Sequence, residues 1–567
     1  METHQRGLEI GKKTLLFLYF ACLLLILWRE YINNKLSLFA DYMERRYPVG
    51  IQTFSEIITK GYVYIDKTDL MWGMTQLSKY IFLSRPRRFG KSLLSTTLCS
   101  FFEGRKELFE GLKVMDLEKE WQCYPVLHLD VSMAKGKPDE DSLRRSLLLQ
   151  LEPLIKIYGS NPNEKLPGEI FDGLIRRANE LTGLQVVVVI DEYDAPLLDV
   201  VHEEQLPVFR RVMQELYQCL KAREAIIRFC FITGITKFSQ LSIFSTLNNI
   251  TNISLDPEFS AICGITGEEI YTQMLPDVER LAHEYEVSPE EMRRMLRDTY
   301  DGYRFSHNSP GVYNPFSLMK AFNQRTLNNW WFESGTPSYL LQQMRRYHTD
   351  ITALDDIQVT LSAFDQPTEN MQDALPLLYQ SGYVTIKDYN RRLQMYTLGI
   401  PNKEVRVGLS DGLLPTVTGM RGSDVQVGFA ARFWNALDGG DTDLALRELQ
   451  TYLESLPYVE GFKKKLEEVA VAEGFYEWTF YLIFSMLNVY VQTQVKCARG
   501  RTDMVVFMPD TIYVMELKLN GSAQDALDQI NGRGYALRYS TDGRRIVKVG
   551  IGFSVDKRTM TDYIIQE

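Results

Sequence analysis

Two short sets of residues in this 567-residue chain have the types and spacing to act on phosphate. The first is Ile81-Phe-Leu-Ser-Arg-Pro-Arg-Arg-Phe-Gly-Lys-Ser92, which reads as an apolar strand, a turn and a helix opening at Gly90-Lys91-Ser92. Gly90 lets the backbone approach a phosphate, and N–H groups at a helix start face the anion. Lys91 would reach the β- and γ-phosphates, and the Ser92 hydroxyl would sit on Mg²⁺. One position departs from that pattern, because Arg85 stands where a glycine is usual.

Carboxylates follow about one hundred residues later. Gln185-Val-Val-Val-Val-Ile-Asp-Glu-Tyr-Asp194 is the continuous run of a strand buried on both faces. Asp191 at its end would hold Mg²⁺, directly or through water, and Glu192 would orient or activate the attacking water. The two acids could equally cap the next helix. Ile226 to Gly234 reads as another buried strand, and Thr233 near its tip lies where a sensor would meet the γ-phosphate. Asn248 and Asn249 fit either phosphate sensing or a turn. His128, inside the strand Tyr124 to Val131, reads as a satisfied strand residue rather than a ligand.

The second set lies near the C-terminal end. Gly500 to Phe507 and Thr511 to Lys518 read as a strand hairpin, with Asp503 on one strand and Glu516 and Lys518 on the other. Glu516 and Lys518 are two apart, so they share a face. Asp503, Glu516 and the Leu517 carbonyl would offer hard oxygen ligands to Mg²⁺, which would activate a water and neutralise charge on a phosphate. Lys518 would position that water or stabilise the transition state. Gln529, on a helix from Ala523 to Ile530, would orient Lys518 or the water. Glu473 could add a ligand from the apolar helix Gly474 to Leu487, with Glu477 as its substitute. An amphipathic strand with a solvated face carries the same Glu-x-Lys.

Elements must hold these groups. Tyr62 to Thr68 reads as a strand leading to a helix through Leu77. Leu93, Leu94, Leu98 and Phe101 recur at helical spacing. Leu143 to Ile157, Phe171 to Leu181 and Pro207 to Ala222 are helical by pattern. Strand ends gathered at one edge of an open parallel sheet would receive the ligand. Leu375 to Ile386 reads as helix, turn and strand, a winged-helix piece. Asp438-Gly-Gly-Asp441 is the clearest composition break.

Length implies two to four domains. A net charge of −10 argues against a chain coated for nucleic acid, so any such contact must be a local patch. Seven cysteines with no Cys-x-x-Cys pair favour a reducing compartment. The apolar run Thr14 to Trp28, flanked by basic residues, would reach roughly 22 Å as a helix against a hydrocarbon core of ~30 Å. It reads as a short membrane anchor if Lys13 and Arg29 snorkel, or as an appendage before a start at Met43. With an anchor, the bulk of the chain should still face the cytosol.

The motifs also carry a resemblance. Tyr64-Ile-Asp-Lys-Thr68, Arg85 to Ser92, Asp191-Glu-Tyr-Asp-Ala-Pro196, Ser242 to Asn249, Tyr300-Asp-Gly-Tyr-Arg-Phe305 and Tyr313-Asn-Pro-Phe-Ser317 resemble the AAA-ATPase-like family, from about Tyr47 to Leu340. In that family Arg-Pro-Arg-Arg-Phe replaces the glycine-rich start, so Arg85, Arg87 and Arg88 could clamp phosphate or pair with acids such as Asp66. Gly500-Arg-Thr-Asp503, Glu516-Leu-Lys518 and Ala526-Leu-Asp-Gln-Ile530 resemble the PD-(D/E)XK domain found downstream of such ATPases. Family members often carry a polar or histidine residue at Glu477.

The resemblance implies an α/β chain. A P-loop NTPase domain of AAA type (43–340), after a leader (1–42), is followed by a helical or winged connector (341–440) and a small restriction-endonuclease-like domain (441–567). It implies ATP and Mg²⁺ as cofactors, and nucleic acid as a partner of the C-terminal domain. ATP hydrolysis and phosphodiester hydrolysis are the expected reactions. A homo-oligomer is compatible, although Arg210 and Arg211 are weak candidates for an arginine finger. The rival expectation is an ATP-driven switch whose nuclease fold only binds, with or without a membrane tether.

Overall fold

The computed structural model describes residues 45–198, 200, 204–236, 249–333, 338–347, 349, 352–366, 371–418, 423–454, 490–497, 500–554 and 559–567. The apolar run 14–28, Asn248, Glu473, Glu477 and the helix expected over 474–487 lie outside these residues. Among the described residues no helix is long and apolar enough to cross a membrane.

The N-terminal half is built on a five-stranded parallel sheet. Helix α1 (Thr68–Leu77) precedes strand β1 (Tyr80–Ser84), and α2 (Lys91–Phe102) follows it. Then come β2 (Val126–Asp130), α3 (Glu140–Tyr158), α4 (Pro167–Thr182), β3 (Val186–Asp191), α5 (Leu206–Ala222), β4 (Ile227–Gly234) and the short β5 (Thr251–Asn252). The strand order in space is β2-β3-β4-β1-β5. The strand lying between loop strand and acid strand is therefore β4, while β2 sits at the edge.

Alternation explains the apolar runs. Ile81, Leu83, Val187, Val189, Phe229 and Phe231 face one core together with Leu94 and Leu98 of α2. Tyr80, Phe82, Val186, Val188, Ile190 and Ile232 face a second core under α3, α4 and α5. A strand with period-two side chains and helices on both faces must be apolar at every position. Tyr62 to Asp66 departs from the expected strand. Only a single bridge forms there, Arg46 with Tyr62, and the chain then runs extended into α1. The Asp66 carboxylate accepts from the Thr68 N–H (2.9 Å), the Thr68 hydroxyl (2.6 Å) and the Lys113 N–H (2.8 Å), so Asp66 caps a helix and pairs with none of the loop arginines.

Beyond the sheet, α6 (Gly267–Gln273) and α7 (Pro315–Gln324) belong to a helical cluster with its own core. The middle region has β6 (Ile357–Val359), α8 (Leu375–Gln380), β7 (Thr385–Asn390), β8 (Met395–Gly399) and α9 (Lys403–Thr418). Its three strands form an antiparallel sheet in the order β6-β8-β7. Helices α10 (Ser423–Asp438) and α11 (Thr442–Glu454) form a hairpin at Gly439-Gly440, with Phe429 stacked on Tyr452 at 4.2 Å. The hairpin seats on the last sheet, where Gln450 donates to the Met560 carbonyl (3.0 Å) and Tyr563 to Asp443 (2.7 Å).

The C-terminal sheet is β9 (Tyr490–Cys497), β10 (Gly500–Phe507), β11 (Thr511–Leu519), β12 (Arg545–Ser554) and β13 (Thr559–Gln566), in chain order. Only β11 and β12 run parallel, and α12 (Ala523–Arg533) makes the crossover between them. Ser522 caps α12, accepting from the Asp525 N–H while the Asp525 carboxylate accepts from the Ser522 N–H. Such a reciprocal cap satisfies two donors that a helix start otherwise leaves open.

Candidate functional sites

The first site is a cavity of about 470 Å³ at the carboxyl edge of the parallel sheet. That volume lies within the range of small-molecule pockets. Arg87 to Leu94 and Glu192 form one wall. Pro48 to Gln52, Val63 to Ile65, Lys67, Ile262 to Ile265 and Pro315, Phe316 and Met319 are among the other lining residues. Gly90 sits at φ +92°, a left-handed conformation that a side chain would resist, and no side chain caps α2 behind it. The helix therefore opens into the cavity with its N–H dipoles uncovered.

Lys91 is buried, and its ammonium donates to the Arg85 carbonyl (3.1 Å) and the Pro86 carbonyl (3.3 Å). It stands 3.5 Å from the Glu192 carboxylate. The Ser92 hydroxyl hydrogen-bonds to Asp191, which joins the loop to the acid strand. Burial pushes the Asp191 carboxyl up to about 6, against the opposing pull of Ser92 and Lys91. Glu192 carries φ +50°, unusual for a residue with a Cβ, and this backbone strain sits at the cavity wall. Asp194, which the sequence reading passed over, fixes that turn. Its buried carboxylate accepts from the Thr236 N–H (2.7 Å) and hydroxyl (2.6 Å). Burial raises its pKa as well.

Two residues expected at the ligand face elsewhere. Arg85 is 1% exposed and does not line the cavity. Its guanidinium donates to the Ser84 (2.9 Å), Ser254 (2.8 Å) and Phe259 (3.1 Å) carbonyls and lies 4.0 Å over the Phe305 ring. Burial lowers its pKa to about 10, which leaves it charged near neutrality. A planar cation with five donors suits a cluster of carbonyls better than any other side chain. Thr233 is fully buried, and its hydroxyl donates to the Leu83 carbonyl at 2.7 Å, tying β4 to β1. Asn249 is exposed in a turn and does not line the cavity. The His128 Nε2 is buried without a partner among the described residues, so the histidine is not satisfied as expected. Arg211 pairs with Glu140 at 3.7 Å, away from the cavity.

The remaining loop arginines divide. Arg87 is exposed at the cavity. Arg88 lies 4.0 Å over the Phe316 ring and donates to the Trp330 carbonyl (3.0 Å). The middle region presses on the loop from behind. Gly382, at φ +87°, packs so closely that an added Cβ would stand 2.9 Å from Pro86. Glu404 of α9 reaches back and accepts from the Trp331 N–H at 2.8 Å. Its other oxygen is buried without a partner among the described residues, and burial pushes its pKa up to about 8.

The second site is assembled on β10, β11 and α12. The Asp503 carboxylate accepts from the Leu517 N–H at 2.9 Å. Glu516 is 1% exposed and accepts from the Asp503 N–H at 3.2 Å and from the Gln529 amide. Lys518 donates to the Gln529 carbonyl oxygen at 2.6 Å and lies 3.7 Å from Glu516. Burial first, and the Asp503 charge second, push the Glu516 carboxyl up to about 7. Gln529 also reaches the Tyr535 hydroxyl at 3.3 Å, a contact that the sequence did not suggest. Asp503, Glu516, Lys518 and Gln529 thus share one hydrogen-bonded set.

Among the described residues no group of three or more His, Cys, Asp or Glu side chains gathers to hold a metal. Each site nevertheless has hard oxygen donors: Ser92 and Asp191 in one, Asp503, Glu516 and the Leu517 carbonyl in the other. Mg²⁺ characteristically takes one or two carboxylates and keeps waters, so both donor sets fit it.

A family model described as "Predicted AAA-ATPase" matches residues 48–244, and one for the PD-(D/E)XK nuclease superfamily matches residues 471–563. The motifs at Tyr300 and Tyr313 lie beyond the first match. A protein of Azotobacter chroococcum mcd 1, described as an uncharacterized protein in the vnfD 5' region, is 31% identical over 533 residues. That alignment covers 92% of this chain and 99% of that protein. The Walker-type ATPase PABY2304 of Pyrococcus abyssi overlaps 60% of this chain and 93% of its own, with a TM-score of 0.31 and 11% identity. The chain belongs to the AAA-ATPase-like family and carries a PD-(D/E)XK nuclease superfamily domain toward its C-terminal end.

Proposed function

We propose that the chain binds and hydrolyses ATP at the first site and cleaves nucleic acid in a Mg²⁺-dependent reaction at the second. The observation that carries this reading is the convergence of Asp503, Glu516, Lys518 and Gln529 from two strands and a helix.

At the first site, α2 and Lys91 would hold the phosphates, and Lys91 would exchange its loop carbonyls for phosphate oxygens. Ser92 and Asp191 would hold Mg²⁺, which supplies charge neutralisation at the β- and γ-oxygens. Glu192 would orient the attacking water. Arg87 is free to swing toward the tail, whereas Arg85 braces the loop from within. Tyr64, Ile65 and Met319 would give the base an apolar bed.

At the second site, Asp503, Glu516 and the Leu517 carbonyl would hold Mg²⁺, which supplies an activated water. Lys518 would steady that water and the charge growing on the phosphate. Gln529 would keep Lys518 aimed. Glu473 remains a candidate third carboxylate.

A second reading is an ATP-driven switch whose nuclease fold binds without cutting. It is favoured by the seat of the middle region on Pro86. On either reading, nucleotide binding would be felt by α9 and passed toward the C-terminal sheet. The deciding experiment is a divalent-dependent cleavage assay on single- and double-stranded DNA and RNA, with and without ATP. Cleavage that needs Mg²⁺ and Lys518 supports the nuclease. Absence of cleavage on all substrates, with ATP turnover intact, supports the switch. Equal cleavage with and without a non-hydrolysable ATP analogue excludes gating.

A further inference from the structure

Lys67 lines the nucleotide cavity on the wall formed with Tyr64 and Cys263 rather than on the loop. Its side chain is 11% exposed, and its ammonium lies 2.5 and 2.6 Å from the two oxygens of Glu269. No other hydrogen-bond acceptor meets that ammonium among the described residues. An ammonium carries three donors, and one carboxylate engages two of them. One donor is left over on a residue that lines the cavity.

The placement is built, not incidental. Asp66 pins the turn on one side of Lys67 through Thr68 and Lys113. Glu269 is itself held, because it closes a capping box with Thr266 at the start of α6. The buried Cys263 thiol lies within the fields of Lys91, Lys67 and Asp191 together. Lys67, Lys91 and Ser92 line one and the same cavity. Burial lowers the Lys67 pKa despite Glu269, so one carboxylate does not fully compensate the buried charge. A second anion would complete that compensation.

We propose that Lys67 is a second cation for the phosphate tail of the bound nucleotide, held by Glu269 at the cavity that Lys91 also lines. This rests on the nucleotide reading of the first site. It separates Lys67 from the loop arginines, and it gives Tyr64-Ile-Asp-Lys-Thr68 a role at the ligand.

The test is equilibrium binding of MgATP and MgADP to the full chain and to Lys67→Met, Glu269→Gln and Lys91→Ala variants. Lys67→Met should weaken ATP roughly 10- to 100-fold, and ADP less. Glu269→Gln removes the ion pair but keeps the cation, so ATP affinity should hold within about threefold or rise. If Lys67→Met fails to fold, Lys67→Gln, which keeps a polar head without the charge, replaces it with the same loss of ATP affinity expected. Two results overturn the proposal: wild-type affinity in Lys67→Met, or a loss in Glu269→Gln of more than about tenfold, which marks the pair as structural. A wild-type chain that binds neither nucleotide overturns the ATPase reading with it. Binding lost in Lys91→Ala but kept in Lys67→Met sinks the Lys67 role alone.

Discussion

The two phosphate sites solve the same problem with opposite architecture. The first draws on chain from Pro48 to Met319, and its backbone is its main instrument: a helix start, a left-handed Gly90 and a strained Glu192. The second draws on residues between Asp503 and Tyr535, and side chains bonded to one another hold it together. Each buries one carboxylate and raises its pKa, Asp191 to about 6 and Glu516 to about 7. Groups so perturbed concentrate where chemistry is done. The contrast teaches that the first site depends on distant support, such as Gly382 against Pro86, whereas the second is nearly self-contained.

That contrast can be broken by paired variants. Lys518→Ala should lower cleavage by at least ~10²-fold while leaving ATP turnover intact, measured on one preparation. Unchanged cleavage would remove the second site from the chemistry. Lys91→Ala should weaken ATP binding by roughly 10²-fold, read by nucleotide titration, and leave metal-dependent cleavage measurable without ATP. If it abolishes cleavage too, the second site is not self-contained.

Stability measurements sharpen the account of the loop. Arg85→Ala should destabilise the fold by roughly 3–5 kcal/mol, because it leaves buried carbonyls without donors. Arg87→Ala should shift stability by under about 0.5 kcal/mol and appear instead in nucleotide affinity. Denaturant unfolding of the two variants separates bracing from binding.

A further effect concerns pH. The Glu404 pKa is raised from 4.5 to about 8 in the folded chain, so the folded state holds the proton more tightly. Its stabilising contribution is complete below the ordinary value and is lost as pH rises toward 8. Melting temperature should fall between pH 6 and 9, by roughly 3 kcal/mol of stability, and Glu404→Gln should flatten that fall. Identical pH profiles for the two proteins would show that Glu404 does not titrate in the fold.

Much of this was legible in the residues. Continuous apolar runs marked β3 and β4, and Gly90-Lys91-Ser92 marked the loop, because local sterics and burial act on neighbours in sequence. The pairing of Glu516 with Lys518 followed from strand geometry alone. What the sequence left open was where long side chains turn. Arg85 and Thr233 sit beside phosphate-handling residues in the chain, yet both are turned toward carbonyls. Burial behind the loop leaves those carbonyls no water, and the nearest donor must satisfy them. Lys67 and Glu269 are distant in sequence and meet only in the folded chain, where Glu269 opens α6. Composition and spacing thus determined which chemistry the chain carries. Tertiary packing decided which cations face the ligand, since a buried donor goes to whichever acceptor the fold has stripped of solvent.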